Sequence, residues 1–525
     1  MRKIKFLTMA MAAVMLAGFV SCSKDNVDNA DGDDANNTHM IINISAIDNT
    51  PGTKGAEDSG THDPGTADEY EVKTLDLFFF NGSGFVEHIA LGSGDITSTG
   101  LPAGTEVAIA KTRKIEVSAG TYDILTIVNY GGTVPTLAVG NPISTLQNAL
   151  IGNTTYTTSS TNGLITSVPG TGLMMASRTK ESGVTSPISN LTITPANTIN
   201  NPAELKVTME RVVAKLTLSS PTVTGKITAA NTYEVGTGDA ECSIEVESFV
   251  VANLRNEGYI FRHAWNPAGS ATGYGDIDDT ALQDDASNPF KYVWDPKSAS
   301  KTYTAGSPLA SGYEAWYHRH VTTLSSATIS NTISMSGYQP ADGNKLIGYC
   351  LENTALAASQ RDGYSTGVIF RAKIIPTTVY WDNAGALDTD VGASNGTVFY
   401  CGGKFYKTTS ALVLDPGTPF NNVAELNAMT AKQLSDLGIE KYNSGICYYN
   451  YWIKHQDNSN STMGMMEYGI VRNNTYRMQI TEIKRPGEGD IFITPEDPNE
   501  KVNLYLSVEM QILPWIVRAN NIVFD

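Results

Sequence analysis

The chain has 525 residues, 17% of them charged and 41% hydrophobic, against a usual charged share of about 25%. That is enough apolar material for large cores and excludes wholesale disorder. Acids outnumber bases 54 to 36, giving a net charge of −18, and no Lys/Arg-rich run follows the first five residues. This argues against nucleic-acid binding, which needs a basic face.

The N-terminus reads as an address. Arg2, Lys3 and Lys5 precede an apolar run from Phe6 to Val20, too short for the ~20 residues of a spanning helix, which closes on Ser21-Cys22. This is the grammar of a secretory signal peptide, and the cysteine after small residues is similar to a bacterial lipoprotein box, with Cys22 as the acylated residue. Residues 25–38 (DNVDNADGDDANNT) hold a single large apolar side chain, Val27, and suit a disordered tether.

The remainder is dominated by a period of two. Residues 40–46 place Met40, Ile42, Ile44 and Ala46 on one face and Ile41, Asn43 and Ser45 on the other. The stretch 48–69 that follows carries one basic residue, Lys54. Strands are predicted at 72–80, where Leu75, Leu77 and Phe79 alternate before an Asn81-Gly82 turn, and at two runs within 114–130 around Ala119-Gly120. Residues 205–218 and 242–254 alternate again. The Ser/Thr/Asn/Gly-rich region 152–202 offers few residues for a core, and a domain boundary is expected near 213–216. The best helix lies at 421–437, closed by Gly438, with weaker ones near 143–151 and 280–284. Residues 486–500 (PGEGDIFITPEDPNE), with three Pro and five acids, are expected to isolate the end of the chain from the strand at 475–484. Within that end, Leu504, Leu506, Val508, Met510 and Ile512 form one apolar face; Pro514 interrupts it, and Trp515, Val517, Ile522, Val523 and Phe524 continue an apolar tail. The fold class is all-β with minor helix.

Chemistry-bearing patterns are sparse. Cys242, Cys350, Cys401 and Cys447 are dispersed without a C-x-x-C pair, and isolated buried thiols are expected. His318-Arg319-His320 would put two imidazoles on one face of a strand, but a third ligand is missing and solvent-facing histidines are expected. Asp276, Asp278 and Asp279 lack the later Glu of a calcium loop. Trp316, Tyr317 and the aromatic run Tyr448–Trp452 could line a sugar site, although sheet packing is the commoner use. No nucleophile, phosphate-loop or zincin motif occurs, so no enzyme activity, cofactor or metal is expected.

Residues 122–129 (YDILTIVN), 209–215 (MERVVAK), 446–453 (ICYYNYWI), 470–484 (IVRNNTYRMQITEIK) and 508–517 (VEMQILPWIV) together resemble the donor-strand (type V) fimbrillins of Bacteroidia. The closest likeness is to Mfa-type shaft subunits of the minor fimbrium, with FimA-type major subunits as near relatives. The resemblance implies two transthyretin-like β-sandwich domains, at 55–213 and 214–500, and a donor segment at 501–525. These would follow a lipoprotein signal peptide (1–22) and a propeptide (23–54) that holds a displaceable first strand. It further implies an outer-membrane lipoprotein precursor that is cleaved between Lys54 and Gly55. Arg is usual at this site in relatives, so Lys54 is a departure.

Removal of the strand bearing Met40, Ile42 and Ile44 would then open a groove. A neighbour's Ile512, Trp515, Val517, Ile522, Val523 and Phe524 would fill it. The implied partners are identical subunits in a self-polymer, fimbrial anchor and tip subunits, and a host or bacterial surface ligand, with adhesion and biofilm formation as the role. An anchor or accessory subunit, or a glycan-binding surface lipoprotein, is the alternative.

If Cys22 is the acylation site, metabolic labelling with a palmitate analogue should mark the precursor and be lost in Cys22→Ser. Label persisting in that variant contradicts the assignment.

Overall fold

The computed structural model describes residues 37–46, 65–98, 108–131, 133–152, 157–158, 164–167, 172–181, 184–219, 226–229, 231–265, 272–273, 292–326, 329, 332–335, 344–381, 386–388, 396–455, 463–464, 466–500 and 506–514. The predicted helix at 280–284 and the acidic loop of Asp276, Asp278 and Asp279 lie outside them. The described chain is mostly β-strand with a few short helices.

The N-terminal sheet contains β1 (His39–Ala46), β2 (Leu75–Asn81), β3 (Gly84–Leu91), β4 (Ile96–Ser98), β5 (Ala108–Thr112), β6 (Ile115–Glu116), β7 (Gly120–Val128), β8 (Met175–Ser177), β9 (Ser189–Ile193) and β10 (Ala203–Arg211). Its order is β3-β2-β7-β8-β10-β1-β5-β4, with β9 also on β7 and β6 also on β1. β2 is buried on both faces from Leu75 to Phe80, with Asp76 the one charged residue in the run, paired to His88. Leu75, Leu77 and Phe79 enter the core of this sheet with Ile124 and Val128 of β7 and Leu205 and Val207 of β10. Phe78 and Phe80 face the other way, into a second core that also takes Val212, Val213, Ile260, Phe261 and Tyr349. This second core joins the two halves of the molecule.

Between Arg211 and Ala214 the chain leaves the first sheet and enters a second. Here β11 (Ala214–Ser219), β12 (Cys242–Ala252), β13 (Asn344–Cys350), β14 (Gly367–Pro376), β15 (Ile446–Trp452), β16 (Asn474–Ile483) and β17 (Leu506–Pro514) form the long strands. One sheet runs β17-β16-β11-β13 and continues into Ile165–Ser167 and Thr157–Thr158; another carries β12-β14-β15. Leu216, Tyr476 and Met478 of the first meet Ile244, Phe249, Phe370 and Tyr449 of the second in one large core, the sandwich arrangement that alternating strands require.

Several expectations change. The region 152–202 supplies Leu164, Leu173, Met174, Met175 and Ile193 to the cores; short apolar runs between polar loops carry the burial there. The single helix at 421–437 is two, Val423–Ala428 and Ala431–Asp436. Met429 is extended (ψ 145°), and Thr430 starts the second helix through a capping box with Gln433. The helix near 143–151 ends at Gln147, and Leu150–Gly152 is a strand paired with Glu257–Tyr259. Residues 486–500 do not isolate the chain end. β17 pairs antiparallel with β16 from Asn474↔Pro514 to Ile483↔Leu506. The Pro/acid segment instead lies against the second half through a Tyr448↔Glu488 bridge and a Gly363 N–H donating to Pro495 O at 2.9 Å.

Buried polar side chains bind the halves together. Glu69 accepts from Lys215 Nζ at 3.1 Å and from the Tyr349 hydroxyl at 2.6 Å, while Arg211 Nε donates to Glu69 O at 2.8 Å. Glu210 meets Arg178 at 3.2 Å and Arg262 at 2.8 Å. Within the second half, Arg472 donates to Ile260 O at 2.7 Å, Tyr259 O at 2.8 Å and Glu352 at 2.7 Å. Asn473 adopts φ 58° and accepts from Arg211 N–H at 3.3 Å; Asn tolerates this left-handed conformation better than most residues. Removing one member of a buried ion pair strands the other. Glu69→Ala should therefore lower unfolding free energy by about 3–5 kcal/mol in denaturant titration, whereas Asp436→Ala, which breaks an exposed pair with Lys432, should leave the midpoint in place.

Candidate assembly site: the first and last strands

β1 lies inside its sheet, with a partner on each side. It runs parallel to β10, from Met40↔Ala203 to Ala46↔Met209, and antiparallel to β5, where Ile44 faces Ala110 and Asn43 faces Lys111. β6 adds His39↔Glu116 and Met40↔Ile115. A register shift between Ile44 and Ser45 interrupts the β5 seam. Nearby, Ile42 N–H donates to Thr112 Oγ1 at 3.0 Å. At the leading end, His39 N–H donates to Asn197 O at 2.7 Å and Val117 N–H to Thr38 O at 3.0 Å, with the Thr38 hydroxyl returning to Val117 O.

The alternating pattern of 40–46 sets which side chains enter the core. Met40, Ile42 and Ile44 are each 0% exposed and pack against Leu77, Phe79, Ile109, Leu205 and Val207. Ile41 is also buried, while Asn43 and Ser45 are half-buried. At about 1.5–3 kcal/mol per fully buried side chain, the three core residues contribute on the order of 5–9 kcal/mol. Withdrawal of β1 would leave β10 and β5 with facing rows of unpaired backbone groups. Thr112, Asn197 and the Thr38–Val117 clamp carried no signal in the sequence, because single hydrogen bonds to a hydroxyl or a loop carbonyl leave no periodic trace.

At the other end, β17 is the edge strand of its sheet. Val508 and Met510 pack at the border of the large core, and Ile512 is in register with the buried Tyr476. Cys22, Lys54, Gly55, Trp515, Val517, Ile522, Val523 and Phe524 lie outside the described residues.

The other candidate groups are absorbed into packing. Cys242, Cys350, Cys401 and Cys447 are all free and buried, and burial pushes the thiols of Cys242, Cys350 and Cys447 up to about 12, away from reactivity. His320 is not on a strand facing solvent: it caps the short helix Val321–Thr323 and is buried. Its Nδ1 accepts from Thr322 N–H at 3.2 Å, so Nε2 donates to Gly363 O at 2.8 Å. Tyr317 is buried with its hydroxyl on Tyr364 O at 2.9 Å, and Tyr448, Tyr449 and Trp452 of β15 are core residues. Among the described residues no group of three or more His, Cys, Asp or Glu could hold a metal ion.

In the uncleaved chain, Ile42→Ala should cost about 2–5 kcal/mol of stability, the range for truncating a buried large aliphatic residue, and Asn43→Ala far less. Urea unfolding of the two variants side by side measures the difference.

Two family models match the chain. Residues 41–245 match "Major fimbrial subunit protein (FimA)", and residues 440–521 match "Major fimbrial subunit protein type IV, Fimbrillin, C-terminal". Solved structures similar to it include a putative cell adhesion protein from Parabacteroides distasonis ATCC 8503, 14% identical over 91% of this chain and 99% of that one, with a TM-score of 0.41. A fimbrilin (FimA) from Porphyromonas gingivalis W83 is 13% identical over 92% and 98%, with a TM-score of 0.38. The tip fimbrial protein Mfa3 from Porphyromonas gingivalis, with C-terminal truncation, is 10% identical over 91% and 100%, with a TM-score of 0.35. No curated protein matches the chain. The two family models together span more than half of the 525 residues and take in most of the first strand and all of the last, and on that basis the chain belongs to the FimA-type fimbrillins, the structural subunits of fimbriae.

Proposed function

We propose that this subunit forms the shaft of a cell-surface fimbria by donor-strand exchange. The precursor is an outer-membrane lipoprotein acylated at Cys22, and cleavage between Lys54 and Gly55 releases β1. The groove between β10 and β5, emptied of Met40, Ile42 and Ile44, then takes the C-terminal segment of the next subunit. The units that act are a propeptide ending at 54, an N-terminal domain at 55–213, a C-terminal domain at 214–500 and a donor segment at 501–525. The reading assigns no catalytic turnover. Its partners are identical subunits, with anchor and tip subunits at the filament ends and a surface ligand for adhesion.

The observation that carries this reading is the mid-sheet position of β1. A strand buried on its core face and paired along both edges is the part of a sandwich whose loss most needs replacement. The segment after it holds a single Lys or Arg, Lys54, the residue type that a trypsin-like protease cuts after. Donor and groove occupy different surfaces, so the contact is heterologous and open, which generates a filament. In the isolated chain β17 holds Ile512 opposite Tyr476, so exchange extends outward from that strand, with Trp515, Val517, Ile522, Val523 and Phe524 as the apolar anchors.

Lys54→Ala should give a longer, monomeric protein, and deletion of 513–525 should give a folded monomer that caps growing fibres. Electron microscopy of sheared filaments with N-terminal sequencing and limited proteolysis reads both. Normal filaments from Lys54→Ala with an N-terminus elsewhere refute the cleavage site, normal filaments from the truncation refute strand exchange at this end, and an unfolded truncation refutes the donor assignment.

A further inference from the structure

The second domain contains a charge cluster that the assembly mechanism does not use. Arg255, Asp295 and Lys301 all have side chains with 0% exposure. Lys301 Nζ lies 2.5 Å from Asp295 Oδ2, 2.6 Å from Asn353 Oδ1 and 2.7 Å from Thr354 O. Arg255 Nε is 3.6 Å from Asp295 Oδ1; Nε and Nη2 of Arg255 have no hydrogen-bond partner. Glu257, 29% exposed, approaches Arg255 at 3.6 Å and is shared with Lys297 at 3.2 Å. Two fully buried cations thus share one fully buried carboxylate, an excess of charge that a low-dielectric interior disfavours.

The Asn353 side chain is held as firmly as the lysine. Its Nδ2 has three acceptors around it, Tyr364 O at 2.9 Å, Thr366 Oγ1 at 2.9 Å and Asn253 O at 3.3 Å, although an amide nitrogen carries only two hydrogens. An amine nucleophile, a carboxylate base touching it, and a carboxamide whose nitrogen is surrounded by acceptors are therefore assembled in one dry site.

We propose that Lys301 and Asn353 form an intramolecular isopeptide bond, with Asp295 as the general base. The Lys301 ammonium transfers a proton to Asp295 Oδ2, and the free amine attacks Asn353 Cγ. The Nζ–Cγ bond forms, the Cγ–Nδ2 bond breaks, and Nδ2 departs as ammonia. The attacking nitrogen gives up one further proton to Nδ2 as that bond breaks and Asp295 returns the other, so one ammonium ion leaves for each amide made and no oxidant or reductant is needed. The third acceptor at Nδ2 meets the extra hydrogen that this nitrogen gains. The reaction removes one buried positive charge and leaves Asp295 to pair with Arg255 alone. Burial also pushes the Lys301 ammonium below its usual range, which favours the amine. Lys301 and Arg255 hold Asp295 ionised against its burial, making it a weak base, but a group that reacts once per chain has the lifetime of the protein in which to do so. The product would tie the segment around Lys301 to Asn353, 52 residues on, in a chain whose described cysteines are all free.

Tandem mass spectrometry after tryptic digestion of the denatured full chain tests this. The expected product is a branched species joining the Lys301 and Asn353 peptides, uncleaved at Lys301 and lighter than their sum by one ammonia. Lys301→Arg and Asn353→Ala should abolish it. Recovery of linear peptides cleaved at Lys301 from the wild-type protein overturns the bond and leaves an ionic cluster only. A branched species persisting in Asp295→Asn overturns the role of Asp295.

Discussion

A strand in the middle of a sheet has to satisfy two ladders and one core at once, and β1 does so with eight residues. Because Met40, Ile42 and Ile44 point inward while both edges are paired, the N-terminal domain is closed only while a chain segment of this pattern occupies the gap. The surrounding architecture accommodates that dependence. β10, which borders the gap, runs directly into the junction at Arg211 and from there into β11 of the second domain. One side of the groove is therefore fixed to the rest of the molecule by the Glu69, Arg211 and Glu210 contacts. The loss of β1 need not loosen that side.

The same junction gives physical meaning to the motifs that first suggested the family. Asn129, at the end of YDILTIVN, adopts φ 56° and binds four backbone groups: it accepts from Lys73 and Thr74 and donates to Glu71 and Leu173. Of the VRNN run, Arg472 ties Ile260 into the second domain, and Asn473 joins that domain to Arg211 of the first. These positions need a specific side chain for a specific backbone geometry, and such needs persist when packing residues drift.

Strands and the first-strand face were legible because burial on one face writes a period of two. What was hidden lacked that signature. β2 is buried on both faces, so its pattern announces a strand but not that Phe78 and Phe80 reach toward a second domain. The break at Met429-Thr430 depends on a capping box that competes with an otherwise continuous helical pattern. The 486–500 segment read as a spacer from its composition. Several of its bonds are between backbone groups, as where Asp362 N–H donates to Asp497 O at 3.0 Å, and backbone pairing is silent in sequence. At the candidate site the apolar residues could be named in advance, whereas the threonine hydroxyl at position 112 could not.

The mixed seams of β1 bear on direction. It is parallel to β10 and antiparallel to β5. A replacement strand entering with the opposite sense would be antiparallel to β10 and parallel to β5, still one seam of each kind. Counted in ladder type alone, the gap is nearly indifferent to the polarity of its occupant. Head and tail must then be told apart by side-chain depth along the groove and by the irregularity of the β5 seam, near which the Thr112 hydroxyl accepts from Ile42 N–H. The vector of the filament would on this account be encoded by a few asymmetric pockets rather than by the hydrogen-bonding frame.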